Sequence, residues 1–506
     1  MCGIAGILGR ADRATVERML DQQKHRGPDG RNIWTSPAGF TMGHDRLAIV
    51  DVEGGAQPLS NEDGTLWLAM NGEIYNHMAL RSQLEGRHTF KTRSDSEVVL
   101  HLFEEYGPDC IKRLDGMFAI AIWGPAVGLF LARDPLGIKG LYWGRDEAGH
   151  LYFASEIKAL VNEVPYVHEF PNGHYWHVGD SMVQYDAVPR PAMHLSEVET
   201  ALDRLDETLT KAVVKRLMAD VPVGCFLSGG LDSSLIAAIM RQHVSGEMHT
   251  FSVGLEGSED LINARRVAAD LGTIHHERVL TEREIITALP QVIDSLESCD
   301  PALVRSAIPT YFVSEMAARH VKVVLSGEGA DELFAGYHYL TEFEPDWAAL
   351  SSELHHITSG LHNSNLQRVD RMTMAHGLEG RVPFLDRAML DLAFQMAPGL
   401  KRYRGEGKWI LRKVAERYLS PAIVWRKKEK FAIGTGIGPL LQSYATGAVA
   451  EEQMAAERSL SGEPFRAKEE YLYWTLFKER YGREDVLSCM GRSRSLNPGE
   501  RWVSAI

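Results

Sequence analysis

Val223-Gly224-Cys225-Phe226-Leu227-Ser228-Gly229-Gly230-Leu231-Asp232-Ser233 is the stretch whose reading decides the fold. Residues 223–227 form a short apolar run that predicts a buried strand, and 233–242 carry a helical pattern. Between them, two adjacent glycines let the backbone turn successive N–H groups toward one point. The helix that follows adds its N-terminal partial positive charge, so the turn can cradle a pyrophosphate. No Gly-Lys-Ser/Thr follows, which excludes the lysine-bearing phosphate loop. A glycine turn that merely changes direction reads the same up to Gly230. Asp232 separates the two readings, because a carboxylate beside a phosphate cradle requires a cation such as Mg²⁺ between them.

The same rhythm continues on both sides of this motif. A long helix is predicted over 197–218, strands over 249–253, 276–280 and 322–325, and a helix over 260–271; strand–helix alternation implies right-handed βαβ units and a parallel sheet. The last of these strands leads into Ser326-Gly327-Glu328-Gly329-Ala330-Asp331-Glu332. Three carboxylates within five residues repel unless a metal or a protonated member relieves them, and ligands bind at strand ends in open α/β sheets. Asp232 and Asp331 are thus candidates to share Mg²⁺ on ATP phosphates, leaving Glu328 free as a general base. Residues 345–480 read as mostly helical. The end of the chain, 491–506, is rich in Ser, Arg, Pro and Gly and reads as a tail.

Upstream the pattern differs. Residues 1–185 show short apolar strands at 4–8, 41–49, 66–70, 118–123, 129–132 and 152–154, interrupted by helical stretches at 14–24 and 94–106, which predicts an α+β sandwich. Asp186-Ala187-Val188-Pro189-Arg190-Pro191 opens an aperiodic linker at 186–196, and a second domain spans 197–490. Cys2 follows only an initiator methionine that is normally trimmed before a small residue. Trimming puts a thiol and an α-amine with an unperturbed pKa near ~8 on one residue, a self-activated nucleophile. His44-Asp45-Arg46, Asn71-Gly72-Glu73-Ile74-Tyr75-Asn76 and Ser94-Asp95-Ser96-Glu97 are polar clusters on otherwise apolar sheet. Singly, Asn-Gly reads as a turn and Ser-Asp before a helix as a cap. Together they offer a guanidinium for an α-carboxylate, carboxylates for an α-ammonium and amide donors for an oxyanion.

Composition removes whole classes of function. With a net charge of −14 over 506 residues, a nucleic-acid groove or an anionic membrane surface is not expected. Five cysteines without close-spaced pairs support neither a disulfide framework nor a zinc knuckle and fit a reducing cytoplasm. The uncharged stretch 116–132 contains Gly124-Pro125 and Gly128, so it reads as two strands around a turn and not as a membrane span; no signal peptide is expected either.

Cys2-Gly3-Ile4, Arg26-Gly27-Pro28-Asp29-Gly30, the Asn71–Asn76 run and the Ser228–Ser233 loop occur in that order, followed by Arg381-Val382-Pro383-Phe384-Leu385-Asp386 and Trp425-Arg426-Lys427-Lys428-Glu429-Lys430-Phe431. In this the chain resembles the glutamine-hydrolysing asparagine synthetases over nearly its whole length. The resemblance implies a four-layer, N-terminal-nucleophile-hydrolase-like sandwich followed by an ATP-pyrophosphatase-type synthetase domain, with ATP and Mg²⁺ as cofactors. By position it implies that Cys2 attacks the glutamine amide, that Asn71 and the Gly72 N–H form the oxyanion hole, and that Arg46, Asn71, Glu73 and Asp95 bind glutamine. It implies nucleotide contacts from Leu227, Val253, Ser326 and Gly327, pyrophosphate contacts from Ser228, Gly229, Gly230, Asp232 and Ser233, and a phosphate-neutralising Lys428. Asp232 and Asp331 would bind Mg²⁺, with Glu328 near an acyl-adenylate. The implied substrates are glutamine, aspartate or a related acid, and ATP; the implied assembly is a homodimer. Ala302 and Leu303 depart from a Thr-Thr pair expected before Arg305, so amidation of another carboxylic acid stays open, and Phe431-Ala432-Ile433-Gly434 lacks an aspartate expected before the glycine.

Overall fold

The computed structural model describes residues 2–427, 429–457 and 464–493. The alternating residues of the first part build two six-stranded sheets. In one, strand Gly3–Leu8 lies centrally, antiparallel to Phe40–Arg46 on one side and Leu151–Ala154 on the other. In the other, Trp67–Ile74 pairs antiparallel with Gly116–Gly124, which pairs in turn with Gly128–Arg133. Period-two alternation decides which side each residue faces. Ile4 and Phe40 of the first sheet meet Ala69, Ala119 and Leu131 of the second in one buried cluster. Their neighbours point the other way: Ala5 and Ile7 pack under Val16, Met19 and Leu20 of helix Arg13–Gln23, while Leu68 and Met70 pack under Val98, Val99 and Leu102 of helix Glu97–Tyr106. The result is helix, sheet, sheet, helix.

The second part is built on five parallel strands, ordered Ile274–Val279, His249–Gly254, Val223–Phe226, Val323–Leu325, Glu379–Arg381. Strand order reverses between Val223–Phe226 and Val323–Leu325, and the loops leaving these two strands are the two glycine-bearing motifs. That is the crevice in which open α/β sheets hold ligands. Between strand Val183–Gln184 and helix Val198–Lys215, the backbone is fixed by Ala192 and Leu195 N–H groups donating to the Phe394 and Gln395 carbonyls.

Two local expectations change: Asn71-Gly72 as a turn, and the mostly helical reading of 345–480, which strand Glu379–Arg381 interrupts. Asn71-Gly72 lies inside strand Trp67–Ile74 and makes no turn, because both flanks continue the ladder against Gly116–Gly124. Strand Glu379–Arg381 carries two charges yet is fully buried; Arg381 Nε donates to Glu379 Oε1 at 2.5 Å, so each charge is compensated by the other.

Candidate active sites

Cys2 sits immediately before strand Gly3–Leu8 and is buried, and burial pushes its thiol up from the ordinary range. Its backbone N–H donates to Asn71 Oδ1 at 3.0 Å. The other end of that amide, Nδ2, is buried and has no hydrogen-bond partner among the described residues. A buried donor left without a partner costs roughly 1–3 kcal/mol, and here it belongs to the residue that holds the Cys2 backbone. The register Gly3↔Asp45 brings Arg46 beside Cys2. The Arg46 guanidinium, however, is turned onto its own loop, donating to the Asp51 carbonyl at 2.6 Å and the Val52 carbonyl at 2.8 Å.

Glu73 lies on the same face of the strand as Asn71, two residues on. Its carboxyl is raised well above the carboxylate range, chiefly by burial and then by Glu379 and Asp95. Asp95, whose Oδ2 accepts the Ile74 N–H at 2.7 Å, is pushed up to about 6 by burial. Both therefore lack a full complement of positive charge. Arg381 Nη2, from the second part of the chain, stands 3.5 Å from Glu73 Oε2; sequence motifs placed this arginine in the chain without assigning it to the surroundings of Glu73.

A second link, between the first and second parts of the chain, lies behind Cys2. The buried Arg26 guanidinium donates to the Cys2 carbonyl at 3.0 Å, to Glu156 at 2.7 Å, and to Asp370 of the second domain at 2.9 and 3.2 Å. Lys139 stands 3.4 Å from the same Asp370, and Arg371 donates to Glu297 at 2.8 Å. The domain contact around Cys2 is thus a network of paired buried charges.

At the crevice of the parallel sheet opens a cavity of about 930 Å³. Leu227, Ser228, Gly230, Asp232, Ser233, Val253, Ser326, Gly327, Glu328 and Asp331 all line it. Gly229 supports the loop from behind: it has φ 68°, and a Cβ there would lie 2.4 Å from the Ala264 N. At Gly327 a Cβ would lie 2.9 Å from Asp232 Cβ, so only glycine lets the two loops approach. Lys428 lies outside the described residues.

The two aspartates do come together, around a residue that sequence reasoning missed. Lys408 Nζ is 2.6 Å from Asp232 Oδ2 and 2.6 Å from Asp331 Oδ1, with its side chain 2% exposed. The ammonium stands where a cation shared by the two carboxylates is called for, and two hard oxygen donors so placed fit Mg²⁺. The only signal in the sequence was a lysine between Gly407 and the apolar start of helix Trp409–Ala415. Glu328 is not free: its carboxylate is ion-paired with the buried Arg368. Glu332, pushed up to about 7 by burial and by Asp331, is a further carboxyl in the same wall.

Ala302 and Leu303 line the cavity where hydroxyls were expected. Arg305 is ion-paired with the buried Glu469, Nε to Oε1 at 2.8 Å. Gly491, Arg492 and Ser493 reach the cavity rim, with the Ser493 N–H donating to Asp300 Oδ2 at 2.7 Å.

A glutamine amidotransferase domain family matches residues 1–191, and an asparagine synthase family matches 204–347 and 342–485. A probable glutamine-hydrolysing asparagine synthetase of Dictyostelium discoideum is 38% identical, covering 97% of this chain and 96% of the relative. Asparagine synthetase B of Escherichia coli K12 is 38% identical over 97% and 93%, and a probable enzyme of Schizosaccharomyces pombe 39% over 96% and 94%. The chain belongs to the glutamine-hydrolysing asparagine synthetase family. Its enzyme class is accordingly that of ATP-using ligases fed by a glutamine amidotransferase. The two candidate sites fall in the two matched regions, Cys2 and Asn71 in the first and both glycine loops in the second. No helix among the described residues is long and apolar enough to cross a membrane.

Proposed function

We propose that this protein transfers the amide nitrogen of glutamine to the β-carboxylate of aspartate at the expense of ATP, giving asparagine, glutamate, AMP and pyrophosphate. The observation that carries the reading is the pairing of two unlike sites: a buried Cys2 beside an Asn71 amide whose Nδ2 has no partner among the described residues, and Asp232 and Asp331 gathered around the Lys408 ammonium. In the first, the Cys2 sulfur attacks the glutamine amide carbon, Asn71 Nδ2 and the Gly72 N–H receive the oxyanion of the tetrahedral intermediate, and its collapse breaks the C–N bond, expels ammonia and leaves a thioester that water then hydrolyses. The thiol proton passes to the α-amine exposed once Met1 is removed, which then gives it to the departing amide nitrogen. Glu73 and Asp95 hold the substrate α-ammonium, and Arg46 releases its loop carbonyls to take the α-carboxylate.

In the second chamber a carboxylate oxygen of the acceptor attacks the ATP α-phosphorus and pyrophosphate leaves. Asp232 and Asp331 would hold Mg²⁺, which supplies the neutralising charge for that leaving group. Ser228, Gly230 and Ser233 cradle the phosphates, assisted by Lys428, while Leu227, Val253, Ser326 and Gly327 border the nucleotide. Ammonia then attacks the acyl carbon and AMP departs. Glu328 and Arg368 stay paired at the acyl end, where Glu328 can take the proton that ammonia loses. Family membership also favours a homodimer, and five cysteines without a disulfide accord with the cytoplasm.

The apolar Ala302 and Leu303 in the cavity wall favour one second reading, an acceptor acid other than aspartate. One assay separates the two. Protein supplied with glutamine, ATP, Mg²⁺ and aspartate should yield asparagine and AMP in equal amounts. Pyrophosphate release with another acid, and none with aspartate, would replace the first reading by the second.

A further inference from the structure

Away from both chambers, four side chains of the first domain converge. Glu62 comes from the turn between strands Leu59–Ser60 and Trp67–Ile74, His88 follows helix His77–Leu84, and His101 and Glu104 stand on helix Glu97–Tyr106. One potential ligand atom from each lies within 4.8 Å of all the others. His88 Nδ1 is 3.2 Å from Glu62 Oε1 and 3.6 Å from Glu104 Oε2. His101 Nδ1 is 3.0 Å from Glu104 Oε2 and 3.5 Å from Glu62 Oε2. Ligands about 2.0–2.1 Å from a tetrahedral zinc stand about 3.3 Å from one another, so these separations bracket the edge of such a site.

The outer contacts point the same way. A ligating histidine gives its other ring N–H to a carboxylate or carbonyl. Here His88 Nε2 lies 3.0 Å from Glu105 Oε1, whereas His101 Nε2 stands 3.7 Å from Glu97 Oε1, too far for a hydrogen bond, and is buried without a hydrogen-bond partner among the described residues. Both rings turn Nδ1 toward the cluster, and the outward Nε2 of His88 is held by a carboxylate. Glu104 is oriented by Asn61 Nδ2 donating to its Oε1 at 2.8 Å, and Glu62 by the Thr89 N–H at 2.9 Å. Two neutral imidazoles and two carboxylates carry a charge of −2, which a divalent ion cancels. His101 is buried while Glu62 and Glu104 are exposed, so an ion can enter from solvent.

We propose that Glu62, His88, His101 and Glu104 form a structural site for a divalent ion of the zinc type. Four protein ligands leave no open position, as in closed structural sites. The ion would tie the loop at Glu62 and the segment at His88 to the helix whose amino end follows Asp95, steadying the glutamine pocket from outside. The other histidine cluster is built differently: the rings of His276 and His320 stack with centroids 3.9 Å apart, and His249 Nδ1 is hydrogen-bonded directly to His276 Nε2 at 2.9 Å.

The test uses untagged full-length protein, stripped with chelator, dialysed and titrated with Co²⁺. Wild type should take up a single ion per chain and develop the intense visible absorption of tetrahedral cobalt. His88→Gln and Glu62→Gln, both at partly or fully exposed positions and checked for folding by circular dichroism, should lose that band. His320→Ala should keep it. Zinc should raise the apparent Tm of wild type and not of His88→Gln. Absence of a tetrahedral band in wild type, its survival in both first variants, or its loss in His320→Ala alone would overturn the proposal.

Discussion

Replacing Asp370 by Asn tests the link between the two domains. Burial alone would raise the Asp370 carboxyl, but Arg26 and Lys139 outweigh it and bring the group from 3.8 to about 2. At about 1.4 kcal/mol per pH unit this corresponds to about 2 kcal/mol of stability at neutral pH. The substitution also leaves the fully buried Arg26 with Glu156 as its remaining carboxylate, and breaking a buried pair costs about 3–5 kcal/mol. The expected loss is therefore ~2–5 kcal/mol. For units of this size that lowers Tm by roughly 5–15 °C. A depressed carboxylate contributes fully above its unfolded value and loses the contribution as pH falls through the folded one. The gap between wild type and Asp370→Asn, read by scanning calorimetry, should therefore be full above pH 4 and close toward pH 2. Glutaminase turnover should fall as well, since Arg26 also holds the Cys2 carbonyl. A gap under about 2 °C at pH 7, or one unchanged between pH 7 and pH 2, would refute the reasoning.

Removing the Asn71 amide with Asn71→Ala should lower kcat for glutamine hydrolysis about 10²–10³-fold, leave KM for glutamine nearly unchanged and spare amidation driven by added ammonium; a KM effect alone would reassign Asn71 to ground-state binding. Asp95, pushed up to about 6, is neutral below that pH and charged above it. KM for glutamine should accordingly fall as pH rises through 6 and become flat in Asp95→Asn; a profile identical in both proteins removes Asp95 from the ammonium site. Lys408→Met leaves Asp232 and Asp331 facing each other without their ammonium. Truncating one member of a buried charge group costs about 2–5 kcal/mol, so ATP–pyrophosphate exchange should drop at least ~30-fold while glutaminase stays within twofold; unchanged exchange would show that Lys408 has no part in the nucleotide chamber.

The larger features were legible because each rests on local periodicity. Residues 4–8, 118–123 and 152–154 alternate or run apolar and become strands, and the glycine loop falls between strand Val223–Phe226 and helix Leu231–His243. What escaped depended on partners distant in the chain. Glu379-Gly380-Arg381 falls within a stretch read as mostly helical, and becomes a strand only because Val323–Leu325, far earlier in the chain, offers it a parallel edge. Lys408 sits 176 residues from Asp232, and nothing near it foretells that contact. Glu328 looked free in a loop of acids because Arg368, its partner, lies 40 residues on. Glu62, His88, His101 and Glu104 follow no ligand spacing; only the packing of helix Glu97–Tyr106 on its sheet brings them together.

Two chambers with separable chemistry are the centre of the account, and Cys2→Ala addresses them most directly. Asparagine formation is measured once with glutamine and once with ammonium as the nitrogen source, at saturating ATP, Mg²⁺ and aspartate. Synthesis from glutamine should vanish while synthesis from ammonium continues near the wild-type rate. Loss of both in a folded protein, or glutamine-driven synthesis that survives the substitution, would contradict it.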